Sequence, residues 1–208
     1  MTKSDWDYRG LAAECYDLWF GEEPFWDQAF FHQRLSRNGG VALEIACGTG
    51  RLLVPFLRDG LAVEGVDASA EILEMCRHKA TQVGVTPILY QQLMQDLELN
   101  RQYHTLFIPA CSFQILAERE EAFEALRRFR THLEPGGELL LTWMRHEVFH
   151  EGRLVQTQLR THRLRWYYKH EFVMMLESAG FRDIVVQCGY TDSVASDPDI
   201  DLVFMAKR

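Results

Sequence analysis

Apolar positions along the chain switch between two periods. Short, nearly continuous apolar runs of strand length recur at Val41–Ala46, Ala62–Asp67, Pro87–Gln91, Thr105–Pro109 and Glu138–Trp143. Between them the spacing becomes helical. Arg51–Arg58 reads as a short helix ending near Gly60. Ser69 is placed to cap a helix running to Ala80, with Ile72 and Cys76 on its apolar face and Glu71 in its first turn. Ala122, Leu126, Phe129 and Leu133 recur at i, i+4, i+7 and i+11 along a helix predicted over 119–133. Pro135-Gly136-Gly137 then turns the chain into the fifth strand. Strands alternating with helices require crossover connections, which predicts an α/β fold with a doubly wound, mostly parallel sheet.

The last third changes character. Residues 154–166 are polar and irregularly alternating, which predicts extended, partly exposed structure. Phe172, Met175, Leu176 and Ala179 then mark an amphipathic helix stopped by Gly180. Two further strands are predicted, Asp183–Gly189 and Ile200–Lys207. Their connection is too short for a crossover helix, so they should close the sheet as a C-terminal antiparallel hairpin. No repeat, low-complexity stretch or linker interrupts 1–208, which reads as a single domain. Its parts are a helical N-terminal segment (1–36), a core (37–143), a short covering segment (144–169) and the closing helix and hairpin (170–208). Nine aromatic residues fall in the first 31 positions. Two readings of that cluster stand: a helix buried on the core, or a lid over a ligand site.

The 208 residues suit one domain with a proper core. Lys and Arg number 22 against 30 Asp and Glu, a net charge of −8. That balance argues against a nucleic-acid partner. Arg153, Arg160, Arg163, Arg165 and Lys169, interleaved with Trp166, Tyr167 and Tyr168, form a locally basic stretch. It reads as a solvated or subunit-facing strand pair, or as a site for an acidic or aromatic substrate. The longest apolar runs, such as Leu139-Leu140-Leu141, are far too short to span a bilayer, and the polar start Met1–Asp7 predicts no secretory leader. The five cysteines are dispersed and never spaced as CxxC, which predicts free thiols in a cytoplasmic protein rather than disulfides or a metal site.

The chemistry concentrates at Leu43-Glu44-Ile45-Ala46-Cys47-Gly48-Thr49-Gly50-Arg51. A strand runs into two glycines and a helix, a turn that lets a ligand lie against the backbone. Nineteen residues past Gly48, at the end of the next strand, Asp67 is placed to accept both hydroxyls of a ribose. These features predict a nucleoside cofactor at the carboxyl ends of the strands. The dinucleotide fingerprint would need a third glycine where Leu53 stands, so a nicotinamide-dependent oxidoreductase is the weaker alternative.

Acid-x-x-Cys-Gly-Thr-Gly, beginning at Glu44, resembles motif I of the class I S-adenosylmethionine-dependent methyltransferases. Further landmarks resemble that family in order. They are Gly65-Val66-Asp67-Ala68-Ser69, Pro109-Ala110-Cys111-Ser112-Phe113-Gln114, Leu133-Glu134-Pro135-Gly136-Gly137-Glu138-Leu139 and Ser178-Ala179-Gly180-Phe181. The resemblance implies a Rossmann-like sheet and methyl transfer from S-adenosylmethionine, leaving S-adenosylhomocysteine. Ala46, Cys47, Gly48, Thr49 and Gly50 would form the cofactor loop, with Ala46, Gly48 and Gly50 approaching the methionine part. Asp67 would hold the ribose and Ala68 lie beside the adenine. Glu44 would orient the loop, and Met94 and Ala110 would complete the site. Two positions depart from the family pattern. Leu93 stands where an acid commonly contacts the adenine, and Tyr103-His104 replaces a Phe-Asp pair.

Methyl transfer is an in-line displacement that rests on proximity and alignment. A base is needed only if the acceptor must lose a proton. Tyr16 and His146 are the candidate catalytic residues, with Tyr16 also reaching the cofactor; His170 and Glu147 are further candidates, and each of the four is open to a structural reading. Cys47 lacks neighbours in sequence that would activate it. The expected partner is a small-molecule acceptor, without nucleic acid or membrane, and a homodimer is possible. A non-catalytic cofactor-binding protein is the remaining alternative. The segment 144–169 is shorter than the flap common in the family. That predicts a pocket left open, or closed by the aromatic N-terminus or a second subunit.

Overall fold

The computed structural model describes residues 26–143, 149–150, 153–154, 165, 167–196, 199 and 201–208. Tyr16, His146, Glu147 and the predicted lid before Trp26 lie outside these residues, as does most of the covering segment.

Helix α1 (Trp26–Asn38) is followed by β1 (Ala42–Ile45), α2 (Leu53–Arg58), β2 (Val63–Asp67), α3 (Ala70–Gln82) and β3 (Leu89–Gln91). Then come β4 (Tyr103–Ile108), α4 (Arg119–His132) and β5 (Leu133–Trp143). A two-residue pair, β6 (Phe149–His150) and β7 (Arg153–Leu154), is antiparallel and lies in the short covering segment 144–169. Helix α5 (Lys169–Ser178) leads to β8 (Arg182–Cys188) and β9 (Leu202–Lys207).

Seven strands form one sheet in the order β3-β2-β1-β4-β5-β9-β8. The pairs among β3, β2, β1, β4 and β5 are parallel, and β9 runs antiparallel between β5 and β8. The predicted hairpin is therefore present, with its last strand inserted beside β5. Chain order reverses between β1 and β4. That crevice, at the carboxyl ends of the strands, is where open α/β sheets bind ligands.

Strand alternation splits the core into two layers. Leu43, Ile45, Leu106, Ile108, Leu139 and Leu141 face one side and pack under Phe129 of α4 and Phe172 of α5. Ala42, Phe107 and Leu140 face the other, under Phe31 of α1, Phe56 of α2 and Cys76 of α3. Glu44 and Thr142 share the alternation of Ala42 and Leu140, which puts a buried acid and a buried hydroxyl on this second face near the carboxyl ends of the strands.

Element boundaries agree with the sequence pattern to within a few residues, with one instructive difference. The fifth strand was expected from Glu138, yet β5 begins at Leu133 and carries a bulge opposite Tyr103–Thr105. The Pro135-Gly136-Gly137 turn is absorbed into the strand edge. A Cβ on Gly137 would sit 2.9 Å from the His104 carbonyl oxygen, so only glycine permits this approach. Ser69 caps α3 as expected, its hydroxyl accepting the Ile72 N–H at 3.4 Å.

Candidate functional site

At the end of β1 the chain turns sharply. Ala46 has φ +57°, Gly48 +56° and Gly50 +81°. The turn closes on itself through the Gly50 N–H to Cys47 carbonyl bond of 3.0 Å. A Cβ on Gly50 would lie 2.6 Å from Cys76 Sγ and 2.7 Å from Val54 Cγ2, so α2 and α3 close around a position that has no room for one. This is a cradle of backbone atoms, shaped by glycine and held from behind by helices.

Asp67 ends β2 beside it. Its carboxylate accepts the Gly48 N–H at 3.0 Å through one oxygen and the Ser69 N–H at 3.0 Å through the other. Two predicted site residues nineteen positions apart are thus joined directly. Charge-assisted bonds of this kind fix the carboxylate at the mouth of the cradle. Ala68 follows, its carbonyl accepting from Gln91 at 3.3 Å. Met94 opens a 3-10 turn (Met94–Asp96) after β3 and is half-buried against the core.

Across the crevice, the end of β4 mirrors the end of β1. Ala110 and Cys111 have φ +53° and +62°. Left-handed non-glycine residues are costly and concentrate at functional sites. Here Ala46, Ala110 and Cys111 line the two sides of the switch point. The Cys111 N–H reaches Thr142 Oγ1 of β5 at 3.5 Å.

Beneath the cradle Glu44 is fully enclosed, and its Oε2 has no hydrogen-bond partner. Burial pushes its carboxyl up to about 8, opposed by the Arg51 guanidinium and reinforced by the charges of Asp27 and Asp67. Arg51 itself forks onto Asp27 of α1, with both N–H···O distances 2.7 Å. Glu44 is therefore protonated and neutral over most of the neutral range. An orphaned acidic oxygen under a backbone cradle fits a cofactor carrying an amino group and a sulfonium. Thr49 is buried and accepts from Lys79 Nζ at 2.9 Å, so its side chain braces α3.

Burial pushes the Cys47 thiol well above its ordinary range, with the nearby acids Glu44 and Asp67 adding to the shift. It stays a thiol and is no nucleophile. Cys76 is pushed up to about 12 for the same reason. Among the described residues, Cys47, Cys76, Cys111 and Cys188 form no disulfide. His104 lies 3.3 Å from Glu134 at the opposite end of the strands, away from the crevice.

Sequence reasoning overlooked three participants. Asp27 is 24 residues from Arg51 in the chain and meets it only through the placing of α1. Thr142 bonds the Cys111 N–H across β4 and β5, and Tyr190 packs on Phe30 and Phe31 of α1; no local pattern announces either.

The comparisons with known proteins agree with this geometry. A methyltransferase-domain family model matches residues 42–137, which contain the cradle and Asp67. A protein of Geobacillus sp. (strain WCH70), provisionally named a methyltransferase, is 26% identical, with 94% of this chain and 98% of that protein covered. The dTDP-3-amino-3,6-dideoxy-α-D-glucopyranose N,N-dimethyltransferase of Streptomyces fradiae is 31% identical over 70% of this chain, and the match spans 58% of that enzyme's length. An S-adenosylmethionine-dependent methyltransferase from Clostridium acetobutylicum superposes with a TM-score of 0.72 at 19% identity, covering 94% of this chain and 96% of that one. Cradle, the Asp67 carboxylate at its mouth, strand order and relatives converge: the chain belongs to the class I S-adenosylmethionine-dependent methyltransferases.

Proposed function

We propose that this enzyme transfers a methyl group from S-adenosylmethionine to a small-molecule acceptor, and that an amine is the acceptor class to test first. The observation that carries the reading is the Asp67 carboxylate, locked to the Gly48 N–H at the mouth of a glycine cradle. The amine follows from the named substrate of the Streptomyces fradiae relative, an amino sugar nucleotide.

The cofactor, when bound, supplies a methyl group made electrophilic by its sulfonium. The protein's part is placement. Asp67 accepts the ribose hydroxyls, and Ala68 and Met94 flank the adenine. The backbone of Ala46, Gly48 and Gly50 lies along the methionine, with Ala110 on the other wall. Glu44 offers its orphaned oxygen toward the amino end. Holding donor and acceptor in line is worth up to about 7–11 kcal/mol of barrier, enough to need no metal or covalent intermediate. Where the acceptor must shed a proton, Tyr16 and His146 are the residues to replace first. Neither nucleic acid nor membrane is needed as a partner, and cytoplasmic residence suits the free thiols. Among the described residues no helix is long and apolar enough to cross a membrane.

The test is incubation with methyl-labelled S-adenosylmethionine and a panel of amino sugars, amino sugar nucleotides, phenols and thiols. Label appearing in an amine supports the reading. Cofactor binding with no label in any acceptor favours a non-catalytic binding protein. Binding of a nicotinamide cofactor in place of S-adenosylmethionine would overturn the reading altogether.

A further inference from the structure

The loop after β3 begins against Asp67. Gln91, the last residue of β3, pairs with Asp67 in the sheet, and the Gln92 N–H donates to the Asp67 carbonyl at 3.1 Å. On the other side of β2 the Gly48 N–H holds the Asp67 carboxylate. Asp67 thus has the glycine cradle on one flank and this loop on the other. Base and methionine leave a nucleoside cofactor from opposite ends of its ribose. With the ribose on Asp67 and the methionine in the cradle, the base lies over the loop.

Hydrogen bonds fix the shape of that loop. The Gln92 side-chain amide donates to the Glu98 carbonyl at 3.0 Å and accepts the Glu98 N–H at 2.8 Å. Within this ring the Asp96 N–H closes the turn on the Leu93 carbonyl at 3.0 Å. Gln91 reaches sideways to the Ala68 carbonyl at 3.3 Å, which ties the loop to the end of β2. Two apolar residues stand inside the frame. Met94 packs against the core, whereas Leu93 is half-buried and belongs to neither core layer.

We propose that Leu93 sets the base specificity of the cofactor site: it takes the purine ring by apolar contact and leaves the 6-amino group unread, so the enzyme also binds purine cofactors that lack that group. The proposal rests on the methyltransferase reading above and deepens it.

The chemistry of the loop's side chains supports this. A leucine offers a flat apolar ring a surface but no acceptor for an N–H. Gln92 is engaged at both ends of its amide by Glu98. Gln91 and Asp96 are exposed, so a bond from the amino group to either replaces one to water and gains little. A buried acceptor would behave differently. Removing its N–H partner would leave it unpaired, and the affinity would fall about tenfold or more. Gln95, half-buried in the turn, is the amide from which such a preference would come.

The test needs no knowledge of the methyl acceptor. S-adenosylhomocysteine and its 6-deamino analogue, with plain purine as the base, are titrated calorimetrically into wild type and Leu93→Asp. The analogue keeps the ribose, the homocysteine and the ring nitrogens, so the ratio of the two affinities reads the amino group. It is taken within each protein, so a general loss of stability cancels. Wild type should bind the two ligands within about threefold of each other. In Leu93→Asp the new carboxylate accepts from the amino group, and the adenine ligand should gain about tenfold over the analogue. If Leu93→Asp does not fold, Leu93→Asn supplies a neutral acceptor and a gain of about fivefold. A wild-type preference for adenine above threefold overturns the proposal. So does a ratio that stays the same in the folded variant, because position 93 then does not face the base. Failure of wild type to bind either ligand contradicts the methyltransferase reading instead.

Discussion

Glu44 shows how one enclosed carboxyl writes a pH dependence into the protein. Folding keeps a proton on Glu44 up to about pH 8, whereas the unfolded chain releases it near 4.5. The folded state binds more protons between those values, so the stability of the ligand-free protein falls as pH rises through that window. The loss is on the order of a few kcal/mol. Glu44→Gln should remove this slope: its melting temperature relative to wild type should climb steadily between pH 5 and 8. Parallel profiles for the two proteins would show that Glu44 does not titrate there. At this scale the sequence was legible where chemistry is local. Glu44, Gly48, Gly50 and Asp67 stand in a short motif and its echo one strand later. The left-handed backbone of Ala46, Ala110 and Cys111 carries no residue signature, because alanine and cysteine do not ordinarily adopt it. The contacts of Thr142 with Cys111 and of Tyr190 with Phe30 were illegible because only tertiary pairing makes them neighbours.

Elements meet at the cradle through two tight contacts, and each can be cut singly. Gly50→Ala forces a Cβ into Cys76 and Val54 at a left-handed φ. A cost of about 2–4 kcal/mol is expected in chemical denaturation, with cofactor affinity falling alongside. A stability loss under 1 kcal/mol would mean that α2 and α3 yield. Asp27 and Arg51 tie α1 to the loop before α2 with a two-pronged ion pair, in which Asp27 is 4% and Arg51 18% exposed. Breaking one partner of such a pair costs about 3 kcal/mol, because the other charge is left buried. A double-mutant cycle with Asp27→Asn and Arg51→Gln should therefore show strong coupling, and additive effects would refute it. Helix and strand types were readable from periodicity. The start of β5 was not, because a Pro-Gly-Gly turn normally ends an element, whereas here the missing side chain of Gly137 lets the strand edge continue beside His104.

Over the whole molecule, alternating elements and a short final connection foretold the sheet and its antiparallel hairpin. The insertion of β9 between β5 and β8 was not in that pattern, since strand order depends on which face each crossover covers. A ligand that binds only the folded chain raises its stability by about 2.7 kcal/mol at one hundred times its dissociation constant. For a chain of this size that corresponds to a melting-temperature rise of about 5–10 °C with S-adenosylhomocysteine. The shift should be smaller in Glu44→Gln if the orphaned oxygen meets the cofactor, and equal if it does not.

The central claim is that a methyl-donor cofactor sits in the glycine cradle with Asp67 on its ribose. Calorimetric titration of S-adenosylhomocysteine into wild type and Asp67→Ala tests it most directly. Clear binding by wild type is expected, with a loss of about ten- to a hundredfold in the variant, the effect of removing charge-assisted hydrogen bonds. Equal affinity in the two proteins, or no binding by wild type at millimolar ligand, would contradict it.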